Sequence, residues 1–316
     1  MSHEITITNG KAEMAYTGDE PWHGLGQHLE EGASIEHWRQ QAGMDWLVKR
    51  SRVRFGDPAN PQIMEDQHVL FRSDTKAPLG IVSDRYKIVQ PAEVLEFFRD
   101  LVADNGFSLH TAGTLFGGKR FWALASINES ACIIGNDMVN GYLLLTTSCD
   151  GTFATTAKFT TIRVVCNNTL SMALSTKAKK EIAIRHSTQF EHDRAKQALG
   201  IAHGVFADFL EASRKLAQTP ITVYQASALT GTLLTSSGAS VKEDVVTSKG
   251  FTSIMHLFEH GKGNEGASAW DWVNGVTEYV DHVQRASTDS HRLANSWYGK
   301  GDALKTQALE MAIANC

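Results

Sequence analysis

The chain has little that could staple, cut or anchor it. Its four cysteines stand at 132, 149, 166 and 316, with no CxxC pair and no spacing that suits a zinc ribbon or a disulfide framework. Cys132, Cys149 and Cys166 lie in apolar, strand-like stretches, where buried free thiols are common, so inert cysteines in a reducing compartment are expected. Prolines number only 6, and no Pro- or Ser-rich tract marks a linker. No run of about 18 apolar residues is present, which excludes a membrane-spanning helix. Met1-Ser2-His3-Glu4 lacks the basic start and apolar core of a signal peptide, so a cytoplasmic location is expected. No GxxxxGK[ST] loop occurs, and Gly24-Leu25-Gly26 is too short for a dinucleotide fingerprint and follows no strand. These absences count against NTPase and Rossmann readings.

What remains is a globular composition. With 42% hydrophobic and 21% charged residues over 316 positions, the chain can bury one large core or two ordinary ones. The net charge of −5 does not advertise a polyanionic partner, but its distribution is uneven. From Lys158 to Lys196 eight Lys/Arg face three acids, a local +5 that leaves −10 on the rest. Such an island can form an anion-binding field, or simply be a solvated loop and helix start.

The periodicities predict an α+β fold: a curved, antiparallel β-sheet with a packed helix in the N-terminal half, then a mostly helical C-terminal half. Ser34 is set to cap a short helix. Residues from Trp46 read as a strand or bent hairpin, with further strands at 68–72, 79–82 and 86–89. Pro91 opens a helix that buries Val94, Leu95, Phe97, Phe98 and Leu101. Gly117-Gly118 is expected as a two-residue hairpin turn between strands 107–116 and 119–127. Strands at 142–148, 153–159 and 162–166 follow, and Asn167-Asn168-Thr169 is expected to start a short helix toward Leu174. Helices are predicted over 189–217, 222–235, 240–260, 270–285 and 303–313. The predicted division is a β-rich domain over 1–186 and a helical region over 187–316.

Three constellations could carry chemistry. Lys119, Arg120, Lys158 and Arg163 are interleaved with Phe121, Trp122, Phe153 and Phe159 and surrounded by threonines. Basic groups neutralise phosphates and aromatics stack on bases, so one sheet face could be a single-strand platform. Lys119, Arg120, Lys158, Arg163, Lys177, Lys179 and Lys180 would hold the backbone, with Phe121 and Phe153 as stackers. The bland alternative points the aromatics inward. Secondly, His256 and His260 are one helical turn apart in His256-Leu257-Phe258-Glu259-His260 and could ligate zinc with Glu278 or His282, although a chance pair is expected in a chain with 13 histidines. Thirdly, Asp281-His282 puts a carboxylate beside an imidazole, but adjacent helical residues point about 100° apart. No catalytic set and no cofactor are expected, which favours a binding protein over an enzyme.

Five blocks resemble the phage/plasmid-like protein family of unknown function, the domain of unknown function 932 type. They are Pro21-Trp22-His23-Gly24-Leu25-Gly26, Thr147-Ser148-Cys149-Asp150-Gly151-Thr152, Arg163-Val164-Val165-Cys166-Asn167-Asn168-Thr169-Leu170, Glu278-Tyr279-Val280-Asp281-His282 and Trp297-Tyr298-Gly299-Lys300-Gly301. The resemblance implies a protein of phages, plasmids and prophages and brings no activity. The layout is also similar to that of phage single-strand annealing proteins, which implies a basic groove and oligomers. Together these lead to an expected homo-oligomer that binds single-stranded DNA in phage or plasmid recombination or replication. A host-interaction or anti-defence protein acting through protein contacts, and a metal-dependent hydrolase, are the competing expectations.

Overall fold

The computed structural model describes residues 5–18, 21, 24–105, 107–163, 169–171, 181–184, 202–235, 243–287 and 289–316. It is an α+β protein with largely antiparallel sheets and helices concentrated in the C-terminal half. The described chain groups into two compact units, each assembled from three separated stretches: 1–128, 142–158 and 181–200 in the first, 129–141, 159–180 and 201–316 in the second. The expected division at 186/187 falls within 185–201, outside the described residues.

In the first unit, β1 (Ile7–Thr8) and β2 (Lys11–Ala12) form a small hairpin. Asn9 (φ 53°) and Gly10 (φ 77°) supply its turn, the pairing that a type I′ turn demands. Strand β3 (Met14–Tyr16) pairs in parallel with β4 (Gln27–His28) and antiparallel with β8 (Ser108–Leu115). Helix α1 (Ile35–Gln41) starts as expected, with Ser34 Oγ accepting the His37 N–H at 3.2 Å. Strands β5 (Val48–Asp57), β6 (Asn60–Arg72) and β7 (Pro78–Ser83) make a separate three-stranded sheet. Helix α2 (Pro91–Asn105) opens on Pro91, whose missing N–H is harmless at a first helical turn. Trp38, Met44, Trp46, Leu95, Phe97, Phe98 and Phe121 are buried in this unit.

The large sheet runs in the order β12-β11-β10-β9-β8-β3-β4, through β9 (Arg120–Cys132), β10 (Met138–Ser148), β11 (Thr155–Arg163) and β12 (Thr169–Ser171). Strand β13 (Glu181–Ile184) pairs with the first half of β11 and β12 with its second half, so β11 lies between β10 and these two short strands.

Three expectations are corrected here. Residues 86–90 form no strand. The hairpin loop between β8 and β9 has four residues, because Leu115 pairs with Arg120. Phe116 shares the positive φ of Gly117 and Gly118 in that loop. Thr169–Ser171 is a strand, where a helix was expected, because pairing with Thr160–Ile162 overrides the local capping signal.

The second unit contains α3 (Ala202–Gln218), α4 (Val223–Leu234), α5 (Glu243–Val246), α6 (Lys249–His260), α7 (Ala269–Glu278), α8 (Asp289–Tyr298) and α9 (Lys300–Ala314). Thr222 with Gln225, and Ser268 with Asp271, close reciprocal capping boxes at α4 and α7. Every residue of α7 is buried, which makes it the central helix of this unit. Its indoles are satisfied: Trp272 Nε1 donates to Thr230 Oγ1 at 2.9 Å and Trp270 Nε1 to Asp137 Oδ2 at 2.8 Å. A π-helical turn, Tyr279–Val283, continues α7 and re-aims the residues after it.

Candidate nucleic-acid interface

The expected platform on the central strands is interior. Consecutive residues 141–149 and 155–161 are all buried, so β10 and most of β11 are covered on both faces. Phe121 is fully buried and meets the Trp46 ring edge-on at 5.5 Å, so it is a core side chain with no face to offer a base. Trp122 and Phe159 are buried too, as are Thr146, Thr147, Thr155, Thr156, Thr160 and Thr161. Thr147 and Thr155 bond each other at 2.8 Å and leave no hydroxyl for a phosphate. Lys158 is buried and stands opposite Glu181 in the strand register. Arg163 ends β11. Lys177, Lys179 and Lys180 lie outside the described residues.

Part of the predicted set does assemble, at the β8–β9 turn. Lys119 is exposed and Arg120 half-buried. The Arg120 guanidinium lies 5.2 Å from the Phe116 ring centre and 5.5 Å from that of Phe153, within cation–π range of both. Phe153 is held from below, since Ser148 Oγ donates to its carbonyl at 2.9 Å and accepts from its N–H at 3.1 Å. Gly118 is required in this turn: at φ +89° a Cβ there would sit 2.7 Å from the Trp46 ring. Cys149 closes the loop from beneath, its thiol donating to the carbonyls of Gly118 (3.3 Å) and Lys119 (3.5 Å). Burial pushes that thiol well above its ordinary range, so it is a packed, protonated group and no nucleophile. Tyr86 donates to the Ser148 carbonyl at 2.8 Å, and burial likewise raises its phenol.

Another exposed cationic feature lies elsewhere among the described residues. Strand β5 carries Lys49, Arg50, Arg52 and Arg54, all exposed and without an ion pair or side-chain hydrogen bond among the described residues. Arg50, Arg52 and Arg54 occupy alternate positions and therefore share a face. The strand is an edge of its sheet. Only its base is sealed: Gln90 accepts from the Val48 N–H at 2.8 Å and donates to the Val48 carbonyl at 3.1 Å. Sequence reasoning read this stretch as a strand and passed over its charge. The signal, four cations in six residues with no acid among them, is plain in the sequence.

Two buried ionic knots were also missed. Arg72, 2% exposed, donates to Glu13 Oε2 at 3.0 Å and Oε1 at 2.6 Å, and to Asp74 at 3.0 and 2.7 Å. It lies over the Trp46 ring at 4.1 Å. Burial alone would lower its pKa, but the hydrogen bonds it donates to Asp74 and Glu13 outweigh that and hold the guanidinium charged. The hydroxyls of Thr8 and Thr114 also donate to the Glu13 carboxylate. In the second unit Lys305 donates to Asp281 Oδ1 at 2.7 Å and to Ser296 Oγ at 2.9 Å, while Ser296 donates to Asp281. All three are buried. A Ser–Lys pair suggests a nucleophile, but here Lys305 donates to both the serine and a carboxylate, a closed three-way contact. This knot ties Asp281, in the 278–282 block, to Ser296 and Lys305, which flank the 297–301 block. Gly301 permits the approach, since a Cβ there would lie 2.6 Å from Val280 Cγ1.

His256 and His260 stack edge to face at 5.0 Å on the exposed face of α6. No group of three or more His, Cys, Asp or Glu able to hold a metal occurs among the described residues. Glu278, a suggested third ligand, accepts the Lys262 N–H at 3.1 Å. No helix among the described residues is long and apolar enough to cross a membrane.

A family model described as a domain of unknown function, DUF932, matches residues 78–297. No curated protein and no solved structure matches the chain.

Proposed function

The chain belongs to the DUF932 family, whose function is unknown, and from that premise we propose that it is a nucleic-acid-binding protein. One observation carries the reading: the row of four exposed cations on β5, unpaired among the described residues, in a protein whose net charge is negative. Holding like charges side by side without carboxylate partners disfavours the free state, and a polyanion removes that repulsion. Lys119 and Arg120, with Phe116 and Phe153, form a second, smaller cationic surface that suits an unstacked base or a phosphate. The resemblance implies a phage or plasmid setting, and recombination or replication is where such binding would be used there.

Fluorescence anisotropy with labelled oligonucleotides at two ionic strengths tests this. Binding should weaken steeply with salt, and the triple variant R50E/R52E/R54E should flatten the log–log slope by about 2–3. A wild-type protein that binds neither single nor double strands at low salt would end the reading. The exposed apolar side chains Phe55, Met64 and Ile81 favour a second reading, a protein partner in a host-interaction role. It predicts no affinity for any oligonucleotide, with loss of a partner protein on F55S/M64S.

A further inference from the structure

The β5–β6 hairpin is longer than the sheet that supports it. Strand β7 pairs with β6 only from Gln67 to Phe71. Beyond that point the register slips, since Arg52 pairs with His68 but Val53 pairs with Met64. Residues 53–64 are thus a two-stranded ribbon with no third strand, closed by Pro58-Ala59 and an Ala59 N–H to Asp57 Oδ1 bond of 2.9 Å. Val53 is half-buried, and every residue from Arg54 to Asp66 is exposed.

A lone two-stranded ribbon is marginal in water. This one also leaves Phe55 54%, Ile63 43% and Met64 39% exposed. Such an element is stabilised by what it binds. Cross-strand partners share a face, so Val53 and Phe55 stand with Met64 and Gln62 on one side, while Arg52 and Arg54 stand with Ile63 on the other. The ribbon therefore has a cationic side continuous with Arg50 and an apolar side. Of its acids, Asp57 lies at the tip, and Glu65 and Asp66 lie in the register slip on β6, across from the Arg52–Val53 step; β5 itself carries no acid between Val48 and Gly56.

We propose that this ribbon is an arm that enters the major groove of duplex DNA, with Arg50, Arg52 and Arg54 on phosphates or guanine edges and Phe55 and Met64 against the groove wall. The inference rests on the nucleic-acid reading and names the form of nucleic acid. Charge complementarity selects the occupant. A second copy pairing along the β5 edge would set four cations against four, whereas alternate arginines about 7 Å apart meet a phosphate row. A B-form major groove about 12 Å wide admits a two-stranded β-ribbon. An A-form duplex, whose major groove is deep and narrow, does not. A single strand has no groove to hold a ribbon from two sides.

The full-length chain would be titrated with a DNA duplex, the same sequence as a single strand, and the RNA duplex. The variants are R52E/R54E and F55S/M64S, with circular dichroism and unfolding midpoint as controls for folding. The arm predicts that the DNA duplex binds about tenfold or more tighter than the other two. It also predicts that R52E/R54E abolishes this preference with the midpoint unchanged, and that F55S/M64S weakens duplex binding at high salt, where the ionic part is screened. Equal or tighter binding of the single strand would overturn the arm and leave the nucleic-acid reading standing. Duplex preference that survives R52E/R54E would also overturn it. Absence of binding to all three would overturn both.

Discussion

Two stretches of this protein have nearly the same ingredients and opposite fates. Strand β5 mixes Lys49, Arg50, Arg52 and Arg54 with Val53 and Phe55. Strands β9 to β11 mix Arg120, Lys158 and Arg163 with Phe121, Trp122 and Phe159. On β5 the charges face solvent and Phe55 is half in water. On β9 and β11 Phe121 and Lys158 are both buried. The difference is position: β5 is the edge of a small sheet, while β9 and β11 each have strands on both sides. Composition sets what a strand can offer; its place in the sheet decides whether it is offered.

The comparison can be broken most forcefully at the buried end. Arg72 lies one rung from the β5 base, opposite Val48, and is as interior as Arg52 is exposed. R72M strands the Glu13 carboxylate without its partner and should lower stability by about 3–5 kcal/mol in urea unfolding. R52M should change it by no more than about 0.5 kcal/mol. A similar contrast separates two phenylalanines: F121A opens a cavity beside Trp46 and should cost about 3–5 kcal/mol, whereas F55A should be near neutral. Equal effects in either pair would show that the edge strand is packed.

A smaller effect sharpens the same contrast through pH. The hydrogen bond from Arg72 holds the Asp74 carboxyl below the ordinary range, against the opposing pull of burial. Its folded pKa is depressed, so its contribution is complete above the unfolded value of about 3.9 and is lost as pH falls through the folded one. Acid titration of the unfolding midpoint should therefore fall less steeply in D74N than in the natural chain below about pH 4. The smallest expected effect is chemical. Cys149, buried and donating to two carbonyls, should resist a thiol reagent until the protein unfolds, while exposed Cys316 reacts in the folded state. Labelling of Cys149 at the rate of Cys316 would mean that the β8–β9 turn opens readily.

Much of the fold was legible. Ser34, Thr222 and Ser268 each precede a helix and accept from the backbone N–H three residues on. Pro91 marks the start of α2, and Gly117-Gly118 marks the hairpin. These signals act over three or four residues, so the sequence holds all their parts. The failures are non-local. Thr169 reads as a helix cap but pairs with Ile162 as a strand. Arg72 and Glu13, 59 residues apart, have no shared pattern that announces a bidentate pair. Asp281 is poised beside His282 in sequence, yet it turns to Lys305 and Ser296 because a π-helical turn re-aims it. The candidate site was misplaced for the same reason. An alternating basic and aromatic strand looks identical whether one face or neither meets water.

The sequence by itself determined the α+β class, several helix starts and the family, because caps, turns, periodicity and short blocks are local properties. Only the tertiary structure decided which cations are free and which are buried, that β5 outruns its sheet as a bare ribbon, and that two ionic knots close the units. Those outcomes depend on burial. Burial is set by which strands pair and which lie at an edge, and that is a property of the assembled chain, not of any segment in it.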